Sequence, residues 1–197
     1  DAISPFLHGR AKAGILDFLV IHHEKNLGKG AAIQTGLKKA TGDYIIIQDA
    51  DLEYEPFDIP RLLSLIDNNS PQSPLILREG AAIFGKRGYK AYPERGFHYV
   101  IGAWLLTNFY NLMFNQHLTD LYTGYKLIPA LIFRKLDIKS KGFEFEAEVA
   151  CKLAKRGVII KEVPIHYRPR NKDQGKHIRF IDAVKGFIKI LDLRFRI

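Results

Sequence analysis

A single cysteine, Cys151, stands in a chain of 197 residues. No internal disulfide can form, and no cysteine cluster is available to hold zinc. The helix-like run around Cys151 predicts a small buried hydrophobe rather than a reactive thiol, and a reducing compartment. Negative charge is also scarce: 21 Asp and Glu against 30 Lys and Arg leave a formal charge of +9. Such a surface attracts anions, whether nucleic acid, anionic lipid headgroups or phosphorylated substrates, and charge alone does not choose among them. Long apolar runs are absent too. The most apolar stretch, 99–114, is interrupted by Asn108 and Asn111 and falls short of the roughly 20 residues a spanning helix needs. Neither a signal-peptide pattern, nor an internal repeat, nor a low-complexity tract is visible. With 47% hydrophobic residues, the length suits one core and one domain over 1–197.

The rest of the chain is organised around residues 26–56, NLGKGAAIQTGLKKATGDYIIIQDADLEYEP. A glycine turn (Gly28, Lys29, Gly30) leads into a helix with Ala31, Ala32, Leu37 and Ala40 for packing. Gly42 stands where a left-handed cap is favoured. The run from Tyr44 to Ile47 predicts a strand covered on both faces. Asp49, Asp51 and Glu53 follow at alternate positions. On extended backbone they share one face, and carboxylates so crowded need a cation, with oxygen-only ligands favouring Mg²⁺ or Mn²⁺.

Asp-Ala-Asp after such a strand, with Asn26-Leu-Gly-Lys-Gly upstream, resembles the metal-binding motif of GT-A fold family 2 glycosyltransferases. Three further stretches resemble the dolichyl-phosphate mannose synthase-like branch: LTDLYTGYK at 118–126, GFEFE at 142–146, and YRPR at 167–170 followed by Gly175-Lys176. Order and spacing match from about Ile21 onward. Members of that family begin with a strand ending near Pro-x-x-Asn-Glu and a second strand ending in acidic residues. Neither is present here, so a fragment lacking its first strands is expected.

Elsewhere, 2–16 reads as helix, 18–21 as strand, and 61–66 as helix before a polar loop at 67–71. Residues 81–84 read as a strand followed by Gly85-Lys86-Arg87; the family has Gly-Ser-Arg there, and a guanidinium suits phosphate oxygens. A loop at 89–97 precedes an apolar helix, 97–114, read as core packing. Residues 142–156 read as a helix that Gly157 ends, its first-turn acids Glu144, Glu146 and Glu148 complementing the helix dipole. Residues 158–167 read as a strand, edge-placed because of Pro164. A basic loop with Arg168, Arg170, Lys172, Lys176 and His177 follows. The close, 178–197, is an amphipathic helix whose stripe of Phe180, Ile181, Val184, Phe187, Ile188, Leu191 and Phe195 suits either the domain or a membrane interface.

The fold expected is α/β, GT-A (Rossmann-like), with a mostly parallel central sheet flanked by helices and the site at the carboxyl ends of its strands. The resemblance implies an inverting transferase moving a hexose from a nucleotide-diphosphate sugar, GDP-mannose or UDP-glucose, to a polyprenyl or dolichyl phosphate. It further implies donor contacts at Asn26, Gly28, Lys29, Gly30, Asp49 and Asp51, and a metal on Asp51, Glu53 and Asp49. Asp120 and Arg87 are then the catalytic candidates, and Arg87, Arg95, Lys176 and Arg168 the acceptor-phosphate contacts. The expected setting is the cytoplasmic face of a membrane, peripherally bound, with no nucleic acid partner. Rival readings are a saccharide hydroxyl acceptor, a basic nucleic-acid-binding module, which leaves the acidic triplet without a role, and an inactive remnant.

Overall fold

The computed structural model describes residues 19–66, 81–88, 97–170 and 180–196. The expectations for 2–16, 67–71 and most of 89–97, and for Arg95, Lys172, Lys176 and His177, lie outside the described residues. Leu19 to Ile21 form no strand.

Four strands are described: β1 (Tyr44–Ile46), β2 (Ala82–Arg87), β3 (Lys126–Pro129) and β4 (Ile160–Ile165), in the spatial order β1-β3-β2-β4. The α/β class is as expected, but the sheet is mixed rather than mostly parallel. β3 is inserted antiparallel between β1 and β2, and only β2 and β4 pair in parallel. β1, β2 and β4 therefore run one way. Their carboxyl ends and the amino end of β3 meet at one edge of the molecule. β4 lies at an end of the described order, and Pro164 sits there opposite Lys86, where its missing N–H costs least.

Alternation along the strands separates two cores. Ala82, Phe84 and Ile128 point to one face, Ile83 and Leu127 to the other. On the first face pack α3 (Phe97–Phe114), α4 (Ala130–Lys135), α5 (Phe145–Lys155) and α6 (Phe180–Phe195). Tyr110 of α3 donates to the Ala150 carbonyl at 3.2 Å, and Phe109 stacks on Phe187 at 4.5 Å. The second face is covered by Tyr54, Leu62, Tyr125 and Tyr167, with α2 (Ile59–Leu63). Residues 126–135 hold β3 and α4, neither of which was expected; Pro129 ends the strand and precedes the helix.

Helix α1 spans Lys29–Leu37 and ends at Lys38 in ordinary helical conformation, so Gly42 is not its left-handed cap. Gly157, by contrast, has φ 68 and stops α5 as expected. Cys151 is buried, and burial pushes its thiol up to about 12, which leaves it protonated at neutral pH.

The core assignment of the whole apolar face of α3 is corrected. Trp104 is 62% exposed and Leu112 75%, while Ile101 and Leu105 share their side of the helix. On α6 the buried positions are Gly186, Ile190 and Leu193; Ile181, Ile188 and Phe195 face outward. Both helices thus carry an apolar face on each side. Among the described residues, no helix is long and apolar enough to cross a membrane.

Candidate active site

The expected alternation of Asp49, Asp51 and Glu53 fails at one residue. Leu52 has φ 61, so the chain turns instead of continuing extended, and the Asp51 side chain accepts from the Glu53 N–H at 3.1 Å. The turn carries the Glu53 side chain underneath. There it accepts from the Tyr167 hydroxyl at 2.6 Å and from the Arg170 N–H at 2.8 Å. Asp51 pairs with the Arg170 guanidinium at 2.9 Å and Asp49 with Lys29 at 2.8 Å. The carboxylates are thus neutralised by protein cations, and among the described residues no three acidic, His or Cys side chains are grouped to hold a metal. Asp49 and Asp51 are each about a quarter exposed, and both oxygens of Asp51 are engaged, one by the Glu53 N–H and one by the Arg170 guanidinium, so a divalent cation at this pair would have to take the place of Arg170. Glu53 does not fit in this arrangement, because its side chain is buried and held by the Tyr167 hydroxyl and the Arg170 N–H.

The glycine turn does more than face a ligand. Asn26 accepts from the Gly28 N–H at 2.9 Å, and Gly28 sits at φ 92. The Gly30 N–H donates to the Lys141 carbonyl at 2.8 Å. A Cβ on Gly30 would lie 2.3 Å from the Ser140 carbonyl oxygen, and one on Gly28 would lie 2.4 Å from that of Lys141. These two glycines let the 140–142 backbone seat directly against the turn. That backbone is held in turn by Glu148, which accepts from the N–H groups of Lys139 and Ser140. Gly30→Ala should therefore destabilise by about 1–3 kcal/mol through overpacking, read as a lowered thermal midpoint. An unchanged midpoint would show that the contact yields freely.

Asp120 and Arg87 are brought together rather than left separate. The Arg87 guanidinium donates to both Asp120 oxygens, 2.6 Å from Nε and 2.6 Å from Nη2, and lies 5.1 Å from the Tyr167 ring centre. Both side chains are buried. The turn bearing Asp120 is fastened by Glu162, which accepts from the Thr119 hydroxyl and from the N–H groups of Thr119 and Asp120. Arg168 stays outside, 77% exposed, with Glu55 at 3.3 Å.

Gly124, in the 118–126 block, explains how that block reaches the acids. A Cβ there would lie 2.7 Å from an Asp49 oxygen and 3.0 Å from the Tyr54 ring, and the Gly124 N–H donates to the Tyr54 hydroxyl at 2.7 Å. Tyr54 stacks on Tyr125 and meets Tyr167 edge-on, so three tyrosines floor the site. Burial raises the Tyr125 hydroxyl to about 12. Beneath lies a charge row the sequence did not reveal. Fully buried Lys126 pairs with Glu146, and Glu146 with Lys29 at 2.8 Å. A lysine opening a buried apolar strand was the available signal, since such a charge requires a partner.

The model of the family described as glycosyl transferase family 2 matches residues 8–135. The chain is 27% identical over 162 residues to a low-salt glycan biosynthesis hexosyltransferase of Haloferax volcanii, covering 78% of this chain and 38% of that protein. It is 27% identical over 166 residues to the undecaprenyl-phosphate mannosyltransferase of Micrococcus luteus, covering 80% and 63% respectively. The chain thus spans less than two thirds of either relative. Among solved structures it resembles the glucosyl-3-phosphoglycerate synthase of Mycobacterium tuberculosis in complex with Mn²⁺, uridine diphosphate and phosphoglyceric acid, with TM-score 0.58 over 90% of this chain and 56% of that one. At 15% identity that likeness shows the fold, a GT-A glycosyltransferase fold, alone.

Proposed function

Because the chain belongs to glycosyl transferase family 2, we propose that it moves a hexose from a nucleotide-diphosphate sugar, GDP-mannose or UDP-glucose, to a polyprenyl phosphate, with inversion. The observation that carries this reading is the meeting of four distant blocks around Asp49. Lys29 lies 2.8 Å from it, Gly124 presses against it, and the Arg170–Asp51 and Arg87–Asp120 pairs belong to the same strand ends.

Asp49 and Asp51 would hold Mg²⁺ or Mn²⁺, and the ion would supply neutralisation of the departing diphosphate. Lys29, at the start of α1, adds a fixed cation beside it. The state of Asp120 supports a phosphate acceptor over a saccharide hydroxyl. A hydroxyl needs a free general base, and the carboxylate of Asp120 accepts on both oxygens from Arg87. A phosphate monoester, with a second pKa of about 6, is already largely a dianionic nucleophile at neutral pH. Arg168 is an exposed cation that could draw it in, with Arg95 and Lys176 proposed beside it on sequence grounds. Transfer of label from radioactive GDP-mannose or UDP-glucose with Mn²⁺ into a polyprenyl-phosphate organic phase tests the reading. Label in the lipid is expected, and none from either donor contradicts it.

Peripheral attachment to the cytoplasmic face of a membrane belongs to the same proposal. The outward apolar faces of α3 and α6 adjoin through the Phe109–Phe187 stack, and Lys185, Lys189 and Arg194 accompany them on α6, with Arg196 just past its end. Apolar area flanked by bases suits an anionic lipid surface. Replacing Ile188 and Phe195 by Ser should lower recovery on anionic liposomes in flotation by roughly tenfold or more, since each buried side chain contributes about 1.5–3 kcal/mol. Equal recovery would assign the face another role.

A further inference from the structure

The sequence assigns Glu146 only a place in the first turn of α5, where an acid complements the helix dipole. Its surroundings ask more of it. Glu146 is buried between two ammonium groups, Lys126 on the core side and Lys29 on the site side, and Lys29 in turn touches Asp49. Lys126 is itself enclosed, 4.8 Å from the Phe84 ring centre, and donates to the Leu121 and Thr123 carbonyls. The signs alternate from the core to the site: Lys126, Glu146, Lys29, Asp49.

We propose that Glu146 is a positioning residue for the donor site: anchored on Lys126, its carboxylate clamps the Lys29 ammonium against Asp49, so that a fixed positive charge faces the diphosphate of a bound nucleotide sugar. The proposal rests on the reading that the Asp49 end of the sheet binds the donor. A flexible lysine carries about 2 kcal/mol of rotamer entropy, which the clamp removes before any ligand arrives. The protonation states agree. Burial works against the charge on Lys29, yet Glu146 and Asp49 outweigh it and hold the ammonium above the ordinary lysine value. Burial likewise opposes ionisation of Glu146, and Lys126 and Lys29 together draw its pKa below the usual carboxylate value.

The competing account makes Glu146 only the counter-charge of buried Lys126. Glu146→Gln alone cannot separate the two, because it strands Lys126 without its partner. The informative variant is Lys126→Met combined with Glu146→Gln, which removes both buried charges and should melt closer to wild type than Glu146→Gln does. In this double variant, acylation of Lys29 by an amine-reactive reagent, followed by peptide mass spectrometry, should accelerate at least about threefold as the clamp is lost. Affinity for UDP or GDP in the presence of Mn²⁺, measured by calorimetry, should fall roughly tenfold, the scale of one charge-assisted hydrogen bond. Unchanged labelling would overturn the proposal whatever the affinity. Faster labelling with wild-type affinity would also overturn it, since the clamp would then serve no ligand. If wild type binds neither nucleotide while labelling still accelerates in the double variant, the clamp stands and the donor reading fails.

Discussion

Arg87→Ala should destabilise the protein by roughly 3–5 kcal/mol, because it leaves the Asp120 carboxylate buried without its guanidinium. Against a typical stability of about 5–15 kcal/mol, that loss is large enough to lower the yield of folded protein at 37 °C. Chemical denaturation measures it: the midpoint should fall while the slope stays constant. Asp120→Asn should also destabilise, since the Arg87 guanidinium then faces a neutral amide. The combination of Arg87→Met and Asp120→Asn should recover most of the stability, because buried ion pairs are replaced by neutral groups at small cost. Transfer activity separates the roles. If the double variant regains stability and activity together, the pair is structural; the account expects stability to return and activity to remain lost.

Asp51→Ala should reduce sugar transfer by on the order of a hundredfold to ten-thousandfold, the scale of losing several kcal/mol of charge stabilisation on the departing diphosphate. Its effect on folding should be small. The side chain is partly exposed, and its removal takes away one turn hydrogen bond and one partly exposed ion pair with Arg170. Kinetics and a thermal scan on the same preparation check both halves. A variant that transfers at the wild-type rate would remove Asp51 from the site. Glu53→Ala should behave in the opposite manner. It removes the carboxylate that accepts from the Tyr167 hydroxyl and the Arg170 N–H, so stability should fall by about 1–3 kcal/mol, while the proposed cation site on Asp49 and Asp51 should be spared.

The elements legible in the sequence were those with a local cause. The helix 97–114 has its expected bounds because its apolar run is long, and Gly157 stops α5 because the left-handed conformation is needed there. The two-faced burial of α3 and α6 was not legible, since periodicity shows that residues share a face but not what covers it. The acid triplet was misjudged at Glu53 because one positive φ, at Leu52, cancels the alternation on which a shared face depends. The glycines at 28 and 30 were visible, but the 140–142 backbone they admit was not. The pairs Lys29–Asp49, Arg87–Asp120 and Lys126–Glu146 join residues far apart in sequence. No local pattern encodes which lysine meets which carboxylate, and the charge row emerges only when β1, β3 and α5 are brought together.

The most direct measurement compares acceptors at matched concentration: polyprenyl phosphate, the free polyprenol and an oligosaccharide, each with radiolabelled donor and Mn²⁺, across pH 5 to about 8. The account predicts label in the phosphate alone, at a rate that rises as the pH passes the phosphate's second pKa of about 6 and then levels off. Label in the free alcohol or in the oligosaccharide, with the phosphate inert, would contradict it.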